Sequence, residues 1–595
     1  MEQSLMVRTK MRPAVLIRAT KSRTFALLLS TGALSFLGYV LFFLLMHSHA
    51  IWQSPTLVQD RWKQFLYPIN NLFPQVWIRP PVWSEMRLAA AGMFVLLVLA
   101  LFVIYIYALR RTALPGVITA ADSRLAFRTI IAVTILILLL LLVIPGVLST
   151  DLFSYVWYGR IFGVFGGNPF VQVPADYAWH DPGNWLQWVF WKETPSAYGP
   201  AWVLIAGVVA RIAQALGGDI VNHVLGYKIL ADLSHLANTV LVWKVSGILI
   251  ARHWKRPNVL PEGVTEADWV VGARVTATLA YAWNPLLILE FGVSGHNDVL
   301  MLTAVLAALW LHLTGRWRWA VAALAVGMLV KLNTLLFIPG YVWLLFWEAA
   351  PGGLRENLAR RLLVVCQSLL ILLATSALFY APFWAGPATL KPIVSGPVAA
   401  LYANSIGFLI RFKLPDVLAE GARALGLQPN DFWTSPAIGE RLEWPSRWGP
   451  TLLFLVFALM QTWKARTFPR MLAAWGWVTF VYLAVGGVWF WPWYVAWLLV
   501  VAVLVGPGRL FKATQIFAAS SLMLYATFWR SDAMFAEWAS WRPLLLVGPP
   551  IVYAVASWLM AHRHTANLHA IRAGQPHRIE LVPVAFEQRL PKMKE

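Results

Sequence analysis

An acidic residue, Asp151, follows an apolar run of some twenty residues (128–148) and opens the stretch Asp151-Leu152-Phe153-Ser154-Tyr155-Val156-Trp157-Tyr158-Gly159-Arg160. If this stretch is helical, Asp151, Tyr155 and Tyr158 fall on one face at i, i+4 and i+7, with Ser154 and Trp157 alongside. A carboxylate would then stand above an aromatic shelf. Such a carboxylate can take the proton of an attacking hydroxyl, and sugar rings commonly rest on aromatic faces. A helix N-cap explains the position of Asp151 equally well. Gly163, Gly166, Gly167, Asn168 and Pro169 then end the helix and turn the chain.

Three further groupings carry reactive side chains. Gly292-Val293-Ser294-Gly295-His296-Asn297-Asp298 lies between two apolar runs. A second acid there, Asp298, could hold an acceptor hydroxyl or a cation, His296 could donate to a phosphate, and Asn297 or Asp298 would also cap the following helix. Lys331-Leu332-Asn333-Thr334 interrupts the apolar stretch 319–347, which suits two short spans better than one. Lys331 could neutralise a lipid phosphate as a compact point charge, or simply snorkel. Lys228, Asp232 and His235 sit inside another run, and the four-residue spacing of the first two predicts a buried pair that organises packing. The turn Trp491-Pro492-Trp493-Tyr494 could contact an isoprenoid or anchor an interfacial belt.

The elements that must position these residues follow from composition. The 595 residues are 59% apolar and only 13% charged, against roughly 25% charged in soluble domains. About fourteen runs are long enough to enter a hydrocarbon core as helices, near 25–46, 88–109, 128–148, 223–251, 269–290, 298–314, 317–331, 332–347, 362–384, 449–466, 470–489, 492–507, 511–529 and 543–561. The expectation is an all-α polytopic membrane protein: a basic cytoplasmic tail at 1–24, one transmembrane domain over 25–561 and a second basic cytoplasmic tail at 562–595. The first run lacks an evident cleavage site and is expected to stay as an anchor. The formal net charge of +21 lies in short loops and both tails rather than in a nucleic-acid-binding patch. Alternating the fourteen runs from a cytoplasmic N-terminus puts Arg110-Arg111, 252–256, 316–318, 355–361, 464–470 and 509–512 all inside. That count omits the run 198–216, read as a helix in the outer interface because it contains Arg211. The outer side then holds 149–222 with its interfacial helices, the turn 291–298, and the long loop 385–448. The lone Cys366 offers neither a disulfide nor a cysteine metal site and is read as packing.

Taken together these residues resemble the GT-C superfamily of multi-pass glycosyltransferases, most of all bacterial alpha-(1,6)-mannopyranosyltransferases. The motifs are Asp151-Leu-Phe-Ser-Tyr with Gly159-Arg160, Gly167-Asn168-Pro169-Phe170, Tyr198-Gly199-Pro200 opening an interfacial helix, His296-Asn297-Asp298, Lys331, and Trp491-Pro492-Trp493-Tyr494-Val495. The resemblance implies a GT-C-like fold in the plasma membrane with the active site on the extracytoplasmic side. It implies hexose transfer, of mannose first, from a polyprenyl-phosphate donor to a glycan or glycolipid acceptor. Asp151 would be the general base, with Asp298 as a second acid. Tyr155, Tyr158, Arg160, Tyr198, His296, Asn297, Lys331, Trp493 and Tyr494 would bind substrate. Partners would be the lipid-linked donor, the acceptor and membrane lipids, with no nucleic acid. The donor is a substrate, no cofactor is implied, no metal ligands are nominated, and dependence on a divalent metal stays open. A transporter or flippase of lipid-linked saccharides is the rival from another class, and would gather polar residues and broken helices near the bilayer midplane.

Overall fold

The computed structural model describes residues 12–53, 83–144, 148–181, 183–254, 259–353, 356–394, 401–426, 436–527 and 540–572. The outermost parts of both expected tails, and residues 395–400 and 427–435 of the long loop, lie outside the described residues. Among the described residues every extended element is a helix. In chain order these are α1 (Arg12–Gln53), α2 (Trp83–Thr112), α3 (Ser123–Leu142), α4 (Asp151–Gly163), α5 (Pro200–Ala215), α6 (Ile220–His253), α7 (Glu266–Ala282), α8 (Asp298–Leu313), α9 (Trp317–Val330), α10 (Ile338–Glu348), α11 (Leu358–Tyr380), α12 (Leu414–Ala424), α13 (Pro436–Lys464), α14 (Phe468–Val481), α15 (Val495–Val505), α16 (Arg509–Thr527) and α17 (Arg542–Arg572).

Among the described residues seven helices are long and apolar enough to cross a membrane: Arg23–Leu45, Ala91–Thr112, Ala120–Leu142, Ile220–His253, Leu358–Phe383, Phe468–Gly486 and Arg542–His562. Each coincides with one of the fourteen expected runs. Several of the others are short or broken, and the breaks have local causes. Asn284 ends the helical path begun by α7 and accepts from the Leu286 amide through its side chain at 3.0 Å. Beyond it, Ile288–Val293 forms a π-helical turn, with the Ser294 amide reaching back to the Leu289 carbonyl at 3.3 Å. Gly295, at φ +65°, then swings the chain into α8. At the end of α9, Lys331 is fully extended (φ −150°, ψ 126°), so residues 332–336 resume as a tight 3₁₀ turn.

The site region depends on α4 and α5, which run side by side in the same direction. Tyr155 meets Trp202 with ring centroids 4.9 Å apart, and two turns later Gly163 lies against the Gly207 backbone. Gly159 and Gly163, spaced by four, give α4 a flat face, the small-residue solution that lets helix backbones approach closely. Arg211 caps α4 by donating from Nε to the Gly163 carbonyl at 2.6 Å. The crossover 164–199 returns the chain to the level of Asp151 and is pinned by Ser196 to the Pro169 carbonyl at 2.8 Å and by Asn168 Nδ2 to the Phe383 carbonyl at 2.8 Å.

Two expectations are corrected. Lys228 and Asp232 form no salt bridge. Lys228 instead donates through Nζ to the carbonyls of Leu141, at 2.9 Å, and Ile144. Leu141 is in the last turn of α3 and Ile144 lies just past its end, where the buried ammonium reaches both carbonyls at once. Cys366 is exposed because α11 is barely packed, only 6% of its apolar window being buried within the chain.

A Cβ at Gly163 would collide with the Gly207 carbonyl, whereas one at Gly421 meets open space. Gly163→Ala should therefore cost about 1–3 kcal/mol of packing strain and lower the thermal unfolding midpoint in detergent. Gly421→Ala should leave that midpoint unchanged or raise it.

Candidate active site

Asp151 begins α4 with Thr150 at the N-cap position, and the Thr150 side chain makes no capping bond. The cap explanation therefore does not account for Asp151, whose side chain keeps 18% of its surface exposed. Its Oδ2 accepts from the Tyr198 hydroxyl at 3.4 Å and lies 3.9 Å from His296 Nδ1. Burial pushes the carboxyl up to about 6, the Lys331 charge pulls it back down, the Asp298 charge raises it, and the Tyr198 bond lowers it. At neutral pH Asp151 is mainly ionised yet close to its titration range, the condition suited to a general base.

His296 is fully buried. Its ring stacks on Trp493 with centroids 4.0 Å apart and planes 20° from parallel, and its Nε2 lies 3.4 Å from Glu290 Oε2. Burial and the Lys331 charge hold the imidazole well below its ordinary titration range, so it is neutral. Glu290 in turn accepts from the Tyr525 hydroxyl at 2.9 Å. A polar string thus runs from the partly open Asp151 through His296 and Glu290 to Tyr525 on α16.

Beside that string is a buried ion pair. Lys331 Nζ donates to Asp298 Oδ2 at 2.7 Å, and Trp497 Nε1 donates to Asp298 Oδ1 at 2.6 Å. The ammonium also lies 5.3 Å from the Tyr494 ring and 5.9 Å from the Tyr198 ring, within cation–π range. Gly199 makes this convergence possible, because a Cβ there would strike the Leu329 carbonyl just before Lys331. Asp298 is therefore fully engaged. Asn297, at the N-cap position of α8, makes no side-chain capping bond either, since its Oδ1 accepts from the Tyr155 hydroxyl at 3.2 Å. Its Nδ2 has no partner among the described residues.

The structure thus brings Asp151, Tyr155, Tyr198, His296, Asn297, Asp298, Lys331, Trp493 and Tyr494 together. Tyr158 packs edge-on to Tyr198, but its hydroxyl donates away, to the Thr194 carbonyl at 2.9 Å. Tyr155 and Tyr158 are both buried, so the expected shelf is a wall behind the acid rather than an open platform. Arg160 is elsewhere. Nine residues along α4, ~13 Å of rise, its guanidinium lies over the rings of Trp157, Phe165 and Trp185 at 5.5, 5.2 and 4.8 Å. Glu290, Trp497 and Tyr525 were not singled out from the sequence. Glu290 had a usable signal, as a carboxylate inside an apolar helix is costly and therefore usually functional. Trp497 and Tyr525 had none among so many aromatic residues. Among the described residues no three His, Cys, Asp or Glu side chains gather as metal ligands.

Residues 68–259 and 264–347 match the family described as "Alpha-(1->6)-mannopyranosyltransferase, N-terminal domain". Over that stretch the chain resembles bacterial mannopyranosyltransferases. An alpha-(1->6)-mannopyranosyltransferase A of Corynebacterium glutamicum is 27% identical over 227 residues, 38% of this chain and 40% of that protein. The protein of the same name from Mycobacterium tuberculosis is 25% identical over 388 residues, 64% of this chain and 66% of that protein. The matched part is thus less than two thirds of the length of either relative. No solved structure matches the chain. The family match contains Asp151, Tyr198, Glu290, His296, Asp298 and Lys331, while Trp493, Trp497 and Tyr525 come from beyond it.

Removing one member of the Lys331–Asp298 pair leaves the other charged and buried. Lys331→Met should therefore destabilise the protein by about 3–5 kcal/mol, seen as a fall in the thermal midpoint, and Asp298→Leu with Lys331→Met should recover most of it. If the double variant is no more stable than Lys331→Met alone, the pair is not the coupled unit described.

Proposed function

We propose that this protein is an integral-membrane glycosyltransferase that moves a hexose, most directly mannose, from a polyprenyl-phosphate donor to a hydroxyl of a glycan or glycolipid acceptor. The observation that carries the reading is a partly exposed carboxylate, Asp151, joined through Tyr198 to a lysine held rigidly by Asp298 and Trp497. The acceptor oxygen attacks the anomeric carbon while Asp151 takes its proton. The bond from that carbon to the phosphate oxygen breaks, the electron pair leaves with polyprenyl phosphate, and the anomeric configuration inverts. Phosphate is already a good leaving group, so catalysis rests on positioning and on stabilising the departing charge.

In this reading Lys331 faces the leaving phosphate, and Asp298 is the group that fixes Lys331 rather than a second acid. Asn297 Nδ2 is a donor for substrate, and Trp493 and Tyr494 line the approach. Arg160, enclosed by aromatic rings, stabilises the α4 end of the crossover. Sugar transfer is favoured over lipid flipping because Lys228, a charge deep inside α6, is committed to the Leu141 and Ile144 carbonyls at the end of α3. We further propose that the shorter apolar helices complete the fourteen crossings of a GT-C-like domain in the plasma membrane, with α4 and α5 in the outer interface. Both termini are then cytoplasmic, and Asp151 is on the extracytoplasmic side, where it meets the lipid-linked donor.

The test is transfer of radiolabelled mannose from mannosyl polyprenyl phosphate to an acceptor in proteoliposomes. Asp151→Asn should lower the rate by about 10²–10⁴-fold, and unchanged transfer would overturn the base assignment. The raised Asp151 pKa fixes the sign of the pH dependence. The basic form is populated above about 6, so kcat/KM should be flat at higher pH and fall roughly tenfold per unit as the carboxylate is protonated below it.

A further inference from the structure

One buried acid beside the site takes no part in the transfer step. Glu290 lies in the π-helical turn Ile288–Val293, is fully buried, and accepts from the Tyr525 hydroxyl at both oxygens, at 2.9 and 3.1 Å. Among the described residues no lysine or arginine pairs with it, the Lys331 ammonium being held by Asp298. A lone ionised carboxylate is costly in such a place, and the group avoids that cost by keeping its proton. Neutral Glu290 then has one hydrogen to donate. Its Oε2 faces His296 Nε2 at 3.4 Å, a contact that a small turn of the carboxyl brings to hydrogen-bonding geometry.

His296 is neutral, so its two ring nitrogens have opposite roles, and the one that accepts leaves the proton on the other. Neither nitrogen completes a hydrogen bond among the described residues. Stacking on Trp493 holds the plane of the ring, and Nδ1 is directed to Asp151, 3.9 Å from Oδ2. That gap is too long for a direct bond. A single oxygen, however, can lie about 2.8 Å from both atoms, and the partial exposure of Asp151 lets a substrate supply it.

We propose that Glu290 is a positioning residue for sugar transfer: as a neutral acid it donates to His296 Nε2 and so directs the Nδ1 hydrogen to the acceptor oxygen that Asp151 deprotonates. The proposal rests on the reading of Asp151 as general base. The acceptor hydroxyl donates to Asp151 and accepts from His296, which leaves its second lone pair for the anomeric carbon. Tyr525 holds the far side of Glu290. Glu290 touches no substrate and acts through the imidazole alone.

Mannose transfer in proteoliposomes, measured against pH, tests the inference. Glu290→Leu, with Tyr525→Phe added so that the phenol does not lose its acceptor, should lower kcat about tenfold and leave the KM for the donor unchanged. Glu290→Gln keeps a donor for Nε2 and an acceptor for Tyr525. It should hold kcat within about threefold and keep the acid limb near 6, because one neutral group replaces another. A limb displaced to lower pH would mean that Glu290 carries a negative charge, whose loss favours the Asp151 carboxylate, and would overturn the inference. In a His296→Phe background Glu290→Leu should cost nothing further, and an added loss would also overturn it. Full activity of the Glu290→Leu, Tyr525→Phe protein beside an inactive Asp151→Asn sinks the positioning role alone, whereas unchanged transfer by Asp151→Asn removes the base assignment and this inference with it.

Discussion

The contact between Lys331 and Asp298 joins the break at the end of α9 to the start of α8 and, through Trp497, to α15. Lys331 stands where α9 breaks, Asp298 where α8 begins, and the Trp497 indole that completes the carboxylate's hydrogen bonding comes from α15. A buried carboxylate is tolerable only when paired and hydrogen-bonded. That requirement fixes how α8, α9 and α15 are stacked at this level. Once they are fixed, the Lys331 ammonium has one position, and the rings of Tyr198 and Tyr494 close around it.

Aromatic packing supplies the remaining rigidity. His296 stacks on Trp493, Trp493 on Trp491, and Tyr494 on Trp497. These stacked faces hold the polar side chains in register. Of the carboxylates Asp151, Glu290 and Asp298, Asp151 is the one left partly open. The crossover 164–199 adds the remaining wall, and it reaches the ion pair only because Gly199 carries no side chain.

Much of this was legible in the sequence because it follows from chain direction and polarity. Apolar runs and basic loops put Asp151, His296–Asp298 and Lys331 at one level, and the break at Lys331 was visible as a polar interruption of a stretch too long for one helix. What the sequence did not yield was pairing. The four-residue spacing of Lys228 and Asp232 suggested a salt bridge, but spacing along one helix says nothing about the Leu141 and Ile144 carbonyls at the end of the neighbouring α3, which take the Lys228 ammonium instead. Asp298 seemed free to serve a substrate for the same reason, since its partners lie 33 and 199 residues away. Arg160 was expected to bind substrate, yet helical rise carries it away from the acid to the rings of Trp157, Phe165 and Trp185. Glu290 was absorbed into a hydrophobic count, although its charge in that setting was itself the signal.

The π-helical turn at Ile288–Val293 gives this region an unusual kind of specification. A π turn carries one more residue than the α-helical path it replaces, and it is this surplus that brings Glu290 and His296 to the same level before α8 starts. Geometry there is set by how many residues the chain contains between Asn284 and Asp298, with their identities a second condition. Substitution can vary the side chains of such a turn by degrees, whereas loss or gain of a single residue would re-phase every group downstream of it at once. The segment therefore has a counting constraint that a comparison of residue types, position by position, would not reveal.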